Sequence, residues 1–339
     1  MGFGIKTKIS KLVKNKINFY HLFGPRIIRI NPIGYACTNA CPMCWRVMNQ
    51  INKKGGLKKT ELQWKNYKKL LENIPFTVET IEVVGGGEPL LFPQIDKLLK
   101  LIKKKKINAS LITNGVLLTP KISKLLIDIG WDMVRVSINA GSKEVYPLAN
   151  GSYYFDKIVN NLEQLIALRK EKNSPKVGLH FVIQKSNFKD IANFIKLAEK
   201  LNIDFISFDN LIYDSPENLK LTNQENQALA KILILAKKHT KIENNIEQVL
   251  KKIKQGNTKR KKSYFADKYC QIVQENLDIS SEGVTVPCCM AYGEKISKNL
   301  KEKDLKTIWQ EFSQFRTELR KGQFKDFCYK KCNYPLEKI

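Results

Sequence analysis

Between residues 26 and 210 the chain alternates short β-rich runs with helical ones, six times over. The β-rich runs fall at residues 27–31, 80–84, 109–113, 133–139, 176–183 and 205–209, and each of the first five leads into a helical pattern. Two helical stretches each show one apolar face: Leu162, Leu165, Ile166 and Leu168, then Ile191, Phe194, Ile195 and Ala198. Thr60 with Gln63 reads as a capping box for a helix through Leu71, and Pro93 and Pro120 sit where a first helical turn tolerates proline. Repeated strand–helix units argue for a parallel sheet. Six units fall short of the eight of a closed barrel, so the expected fold is α/β, an open (partial) parallel β/α barrel. Chemistry in such barrels gathers at the C-terminal ends of the strands.

The flanks differ from this core. Residues 5–23 set Ile5, Ile9, Leu12, Val13, Ile17 and Tyr20 among Lys6, Lys8, Lys11, Lys14 and Lys16, a basic amphipathic pattern. It is expected to cap the barrel; weak contact with an anionic membrane surface is its other use. Residues 216–262 read as a helical linker. Residues 263–339 hold five of the eight cysteines, a hairpin signal at Ser281-Glu282-Gly283, and a short amphipathic helix with Leu305, Ile308, Trp309 and Phe312. This reads as a small α+β cysteine-rich domain. The expected organisation is therefore 1–25 amphipathic segment, 26–215 barrel, 216–262 linker and 263–339 second domain. No apolar run approaches the roughly 18 residues that span a bilayer, and the basic N-terminus lacks the apolar stretch of a signal peptide. The expected location is the cytoplasm, where cysteines are metal ligands or reactive thiols rather than disulfides.

Cys37-Thr-Asn-Ala-Cys41-Pro-Met-Cys44 directly follows the first strand, which puts three thiols on one loop at a barrel mouth. Thiolates suit iron–sulfur clusters and zinc. Three ligands leave a cubane with one iron free for cofactor or substrate; a zinc knuckle completed by a distant residue fits the spacing too.

With the segments that follow it, this loop resembles the radical S-adenosylmethionine (SAM) family. The family signature is C-x3-C-x-φ-C, and Met43 occupies φ. Gly85-Gly86-Gly87-Glu88-Pro89, after the second strand, resembles the family's GGEP segment, which receives the SAM amino group; its glycines let backbone approach a ligand and Glu88 adds acceptors. Thr113-Asn114-Gly115 closes the third strand as the family's TNG does. Ser137 and Asn139 close the fourth, where the family contacts the SAM carboxylate and ribose, and Gln184 carries over on the fifth. Many relatives carry an arginine in the helix after the fourth strand; residues 143–157 contain none, and Lys143 or a backbone group is the expected substitute. The resemblance implies a 4Fe-4S cluster on Cys37, Cys41 and Cys44, SAM on its free iron, and an external one-electron donor such as flavodoxin or ferredoxin. It also implies reductive cleavage of SAM to a 5′-deoxyadenosyl radical that takes a hydrogen atom from substrate.

Cys270, Cys288 with Gly283 five positions before it, and Cys328 with Cys332 resemble the SPASM/twitch extension of the same family. Ile308-Trp309 and Arg320 fit it as well. This implies one auxiliary 4Fe-4S cluster on Cys270, Cys288, Cys328 and Cys332, with Cys289 left over. A structural zinc site is the alternative that the spacing allows.

Asp209 ends the sixth strand at the expected mouth, where an acid can serve as the base that deprotonates a substrate radical. Asn210, Tyr213 and Asp214 follow. His180, within the fifth strand, reads as a satisfied core residue. The leading function is oxidation or rearrangement of a small molecule of sugar or amino-alcohol type. Modification of a ribosomal peptide is the alternative, although the 36 residues before Cys37 are too few for a leader-binding domain unless a separate chain supplies one. From another class comes RNA binding with structural metal sites.

The formal net charge of +27 invites that last reading. Yet of 59 basic residues only eight are arginine, the better fork for phosphates and bases. The lysines are dispersed, with denser runs only at Lys103–Lys106 and around Arg260. A lysine excess beside many Asn and Ile reflects A/T-rich codons, and no specific nucleic-acid partner is expected. RNA and DNA binding should therefore be weak and vanish at physiological salt, with little change when Lys259, Arg260, Lys261 and Lys262 become glutamine. Salt-resistant binding that stimulates deoxyadenosine formation, measured by filter binding and chromatography, would overturn this.

Overall fold

A computed structural model describes residues 19–47, 62–170, 172–212, 215–254, 262–265, 268–332 and 336–338. Six parallel strands form its centre: β1 (Ile27–Ile30), β2 (Thr80–Val83), β3 (Asn108–Thr113), β4 (Met133–Ser137), β5 (Lys176–Ile183) and β6 (Phe205–Asn210), paired in sequence order. Each falls within a residue or two of its sequence-based position. Helices Trp64–Glu72, Ile95–Lys103, Pro120–Asp128, Phe155–Leu168, Ile191–Lys200 and Asn223–His239 follow the six strands in turn, with a short helix, Tyr146–Asn150, ahead of the fourth.

The period of two explains which face does what. Ile28, Ile30, Ile81, Val83, Leu111, Val134 and Val136 are buried in one core with the helices. The alternate positions carry Arg29, Glu82, Ser110, Arg135, His180 and Ser207, so the concave face is polar.

The sheet runs past six strands. β7 (Glu243–Asn244) pairs parallel with β6 at one edge. Following the two-residue β8 (Lys268–Tyr269), strand β9 (Asn276–Ile279) pairs parallel with β1 at the other edge, and β10 (Val284–Val286) and β11 (Lys298–Asn299) extend it antiparallel. The order β11-β10-β9-β1-β2-β3-β4-β5-β6-β7 is linear, so the barrel is open among the described residues. β8 pairs with β12 (Glu337–Lys338) in a separate ribbon. β7 and β11 have two residues and β10 three, too few to show a period, and β9, as long as β1 and β2, has no helical pattern next in sequence, so six strands were legible where ten form the sheet among the described residues. Leu229, Leu233, Ile246 and Val249, from the segment read as a linker, belong to the main core.

Local expectations fared unevenly. Thr119 caps the helix that Pro120 opens, accepting from Ile122 N–H. Thr60 lies outside the described residues, and the cap of the first helix is Gln63, whose N–H donates to Asn66 Oδ1 at 3.1 Å. Leu168 is half exposed at the end of its helix rather than on the apolar face. Gly283 turns the predicted hairpin with φ +84°, its N–H donating to Ser280 O. Of the basic amphipathic segment, residues 5–18 lie outside the described residues.

The cysteine-rich region has its own small core of Phe265, Val273, Val286, Phe315 and Phe324, and is joined to the barrel by more than β9. The buried Trp309 donates from Nε1 to Tyr20 O at 2.9 Å, and Arg316 stacks on its ring at 3.8 Å while donating to His21 O. Trp309→Ala should therefore cost about 3–5 kcal/mol, the usual range for a buried tryptophan. Urea denaturation of the variant checks this; a loss under about 1 kcal/mol, the level of an ordinary surface substitution, would contradict the packing described.

Candidate active site

The cysteine loop is held from below by the ends of β2 and β3. The glycine turn after β2 packs against it: Gly87 N–H donates to Ile33 O and Glu88 N–H to Ala36 O. A Cβ on Gly86 would lie 2.5 Å from Gly34 O, and one on Gly87 2.1 Å from Ala36 O. These glycines are thus required for approach to the cysteine loop. Glu88, pushed up to about 6 by burial, spends its carboxylate within the protein. It accepts from Thr113 Oγ1 at 2.6 Å, Leu90 N–H at 3.1 Å and Asn114 N–H at 2.8 Å. Pro89 is buried in the short 3-10 turn that follows. Asn114 reaches the loop itself, donating from Nδ2 to Thr38 Oγ1 at 2.8 Å and to Cys37 Sγ at 3.5 Å.

On the far side of the loop lies a network of amides. Asn139, in the left-handed region at φ 52°, accepts from Val182 N–H and donates to Asn150 Oδ1 at 2.9 Å. Asn150 in turn receives Cys41 Sγ at 3.8 Å, and its carbonyl accepts from Ala40 N–H. Asn139 therefore ties β5 to Asn150, which in turn contacts the loop. Gln184 is fully buried; its Nε2 lies 3.8 Å from Met43 Sδ, and its Oε1 has no hydrogen-bond partner. Ser137 is half-buried on the concave face beside His180. Lys143 does not substitute for the missing arginine: it is exposed and paired with Asp156.

Burial raises the thiols of Cys37 and Cys41, the latter to about 12. The four C-terminal cysteines, Cys270, Cys288, Cys328 and Cys332, are all buried and line one small pocket, walled by Val273, Phe324 and Phe327. Burial pushes Cys270 and Cys328 up to about 12. Cys289 is half-buried and outside the cavity lining.

Two polar groups on the concave face complete the picture. His180 Nδ1 lies 2.9 Å from Ser207 Oγ, and its Nε2 is 3.6 Å from Asp209 Oδ2. Burial and the nearby Arg135 depress His180 to about 3, so its imidazole is neutral. Asp209 is the exposed member, with its pKa raised by burial of its surroundings despite the lowering fields of Lys252 and Arg135. His180 is thus buried and hydrogen-bonded, as expected, and its even position in β5 relative to Gly178 places it on the concave face. The second group was missed altogether: Arg29 bonds Glu82 at 2.5 Å and lies 3.9 Å from Asp278, a carboxyl that burial lifts to about 7. Asp278 reaches Arg29 only because β9 pairs with β1. Tyr213 and Asp214 lie outside the described residues.

Comparison with known proteins bears on this arrangement. Residues 31–198 match the model of the radical SAM superfamily, and residues 270–333 that of an iron–sulfur cluster-binding domain, SPASM. The chain is a radical SAM enzyme with a SPASM domain. It is 24% identical over 188 residues to a tungsten-containing aldehyde ferredoxin oxidoreductase cofactor-modifying protein of Pyrococcus furiosus, covering 54% of this chain and 51% of that one. It is 26% identical over 190 residues to Fe-coproporphyrin III synthase of Methanosarcina barkeri, covering 56% and 45%. The fold is that of Streptococcus suis SuiB, solved with its precursor peptide SuiA: TM-score 0.66, 16% identity, covering 96% of this chain and 73% of that one. The chain spans about half the length of the curated relatives it matches.

A radical SAM enzyme uses a 4Fe-4S cluster and SAM, and its SPASM domain an auxiliary iron–sulfur cluster. The residues present fit these groups. Three soft thiol donors share one loop with N–H groups aimed at sulfur, since Asn39 N–H and Asn114 Nδ2 both donate to Cys37 Sγ. Gln184 Oε1 is a buried acceptor awaiting a donor. The four C-terminal cysteines line one apolar pocket, a set of soft donors that suits a cluster. Among the described residues no helix is long and apolar enough to cross a membrane.

Reconstitution should load about eight irons per chain, four per cubane. Cys37/Cys41/Cys44→Ala should retain about four, and Gly87→Ala should do nearly the same, because its methyl would displace the cysteine loop while leaving the C-terminal site untouched. Iron analysis checks both; full loading of Gly87→Ala would show that the close approach to Ala36 is dispensable.

Proposed function

We propose that the enzyme oxidises a small polar, hydroxyl-bearing substrate by two electrons, with Asp209 as the base. The first cluster lies on Cys37, Cys41 and Cys44, the auxiliary one on Cys270, Cys288, Cys328 and Cys332, and an external one-electron donor such as flavodoxin or ferredoxin supplies the reducing electron. When bound, the first cluster with SAM supplies hydrogen-atom abstraction and the auxiliary cluster an electron acceptor. Substrate loses one hydrogen atom, then one proton and one electron, which balances a two-electron oxidation. The observation that carries this reading is the row Ser207, His180 and Asp209 on the polar concave face, leading to Asp209 near the end of β6. Asp209 takes the proton. A neutral His180 orients that carboxylate and holds Ser207, without the positive charge that would make Asp209 a poorer base. For SAM, backbone of the Gly86–Gly87 turn faces its amino group and Gln184 Oε1 offers a further acceptor; Ser137 lies at the fourth strand end.

Peptide modification is a second reading. Leu148, Tyr153 and Tyr154 are exposed on the segment after β4, next to the cysteine loop, where Gly151 abuts Ala40. Apolar side chains at such a rim suit a bulky partner. SuiB is described with a precursor peptide.

Reduction with dithionite should give slow 5′-deoxyadenosine from SAM without substrate. Asp209→Asn should keep this uncoupled cleavage within a few fold of wild type yet lower substrate oxidation by about 10²–10³, the usual worth of a positioned base. Chromatography of deoxyadenosine and mass spectrometry of product (loss of two mass units) separate the two. Equal loss of both activities would remove Asp209 from the role of base.

A further inference from the structure

Arg46 is unlike the other arginines that pair with acids. It follows Cys44 by two residues and is buried, with 7% of its surface exposed. Its Nη2 donates to Asn39 O, in the middle of the span between Cys37 and Cys41. Its Nε is buried without a hydrogen-bond partner, and among the described residues no carboxylate pairs with it. By contrast Arg26, Arg29 and Arg169 each sit against a carboxylate, and Arg316, buried without one, has both terminal nitrogens on carbonyls and its plane on the Trp309 ring. A buried guanidinium with no acid beside it is costly unless some other negative charge compensates it. Arg46 has its guanidinium bound to the backbone between Cys37 and Cys41, and its own backbone lies two residues beyond Cys44.

Three thiolates around a dicationic cubane leave one net negative charge, and reduction makes it two. A fixed cation close by stabilises the reduced state more than the oxidised one, which raises the potential. We propose that Arg46 is the counter-charge of the first cluster: held to the cysteine loop through Asn39, it raises that cluster's reduction potential and so eases the one-electron reduction that SAM cleavage requires. This rests on the reading that Cys37, Cys41 and Cys44 hold the cluster. It also accounts for the place of positive charge in a site where Lys143 is spent on Asp156 in solvent. Arg46 is a positioning residue of the electrostatic kind, acting through the cluster rather than on substrate.

The test is a redox titration followed by electron paramagnetic resonance on reconstituted wild type, Arg46→Gln and Arg46→Lys, with iron content and SAM affinity measured on the same samples. The auxiliary cluster serves as internal control. Arg46→Gln should make reduction of the first cluster about tenfold less favourable, about 59 mV for a one-electron couple, with SAM affinity and the auxiliary potential unchanged. Arg46→Lys should keep most of the wild-type value. Failure of the glutamine variant alone to load the first cluster, while the lysine variant loads and titrates like wild type, also supports a charge role. An unchanged potential in a fully loaded Arg46→Gln overturns the proposal. So does joint loss of the first cluster in both variants, which would make Arg46 only a clamp on the loop, or weakened SAM binding at constant potential, which would make it a ligand contact. A wild-type protein whose cysteine triad holds no SAM-responsive cluster would instead sink the underlying reading.

Discussion

The buried carboxylate of Glu88 is the joint on which the rest of the site turns. It ties the end of β2 to the end of β3 through Thr113 and Asn114, and those same two segments form the bed of the cysteine loop. Removing a carboxylate from water is expensive, and three donated hydrogen bonds offset that cost. The arrangement makes loop geometry a property of the sheet rather than of the loop. Three sulfur ligands can then be presented in a fixed constellation by a segment that has no regular structure of its own.

The concave face poses the opposite problem. A barrel of this size is usually filled by branched apolar side chains, yet here Arg29, Glu82, Arg135, His180, Ser207 and Asp278 occupy inward positions. Their charges are matched in part, Arg29 standing between two acids while Arg135 depresses His180. Such a lining is less stabilising than a hydrophobic one, and it is the kind of local departure from good packing that marks a working surface.

Much of this was readable in the chain. Strong period-two runs bounded by helical patterns located β1 to β6, because each is long enough to show its alternation and has its helix next in sequence. The cysteine spacings located both sulfur-rich sites for a similar reason: the chemistry is local to a few residues. What escaped was non-local. Nothing in Asn276-Leu277-Asp278-Ile279 says that it lies beside Ile27–Ile30, so Asp278 could not be placed near Arg29. The partners that Glu88 and Asn139 find on other strands, invisible in sequence, could not be foreseen.

The pairing of β9 with β1 also bears on how the chain comes together in time. Asn31, at the end of β1, bonds Ile279, 248 positions later. Until that distant stretch leaves the ribosome, β1 has a neighbour on one side only, and its other edge stays open beside the loop of three thiols. Contacts of such sequence separation form late, because the intervening chain must first close. The barrel edge nearest the loop of three thiols is therefore the last to be sealed, and those thiols stay on an open edge until the C-terminal strands arrive.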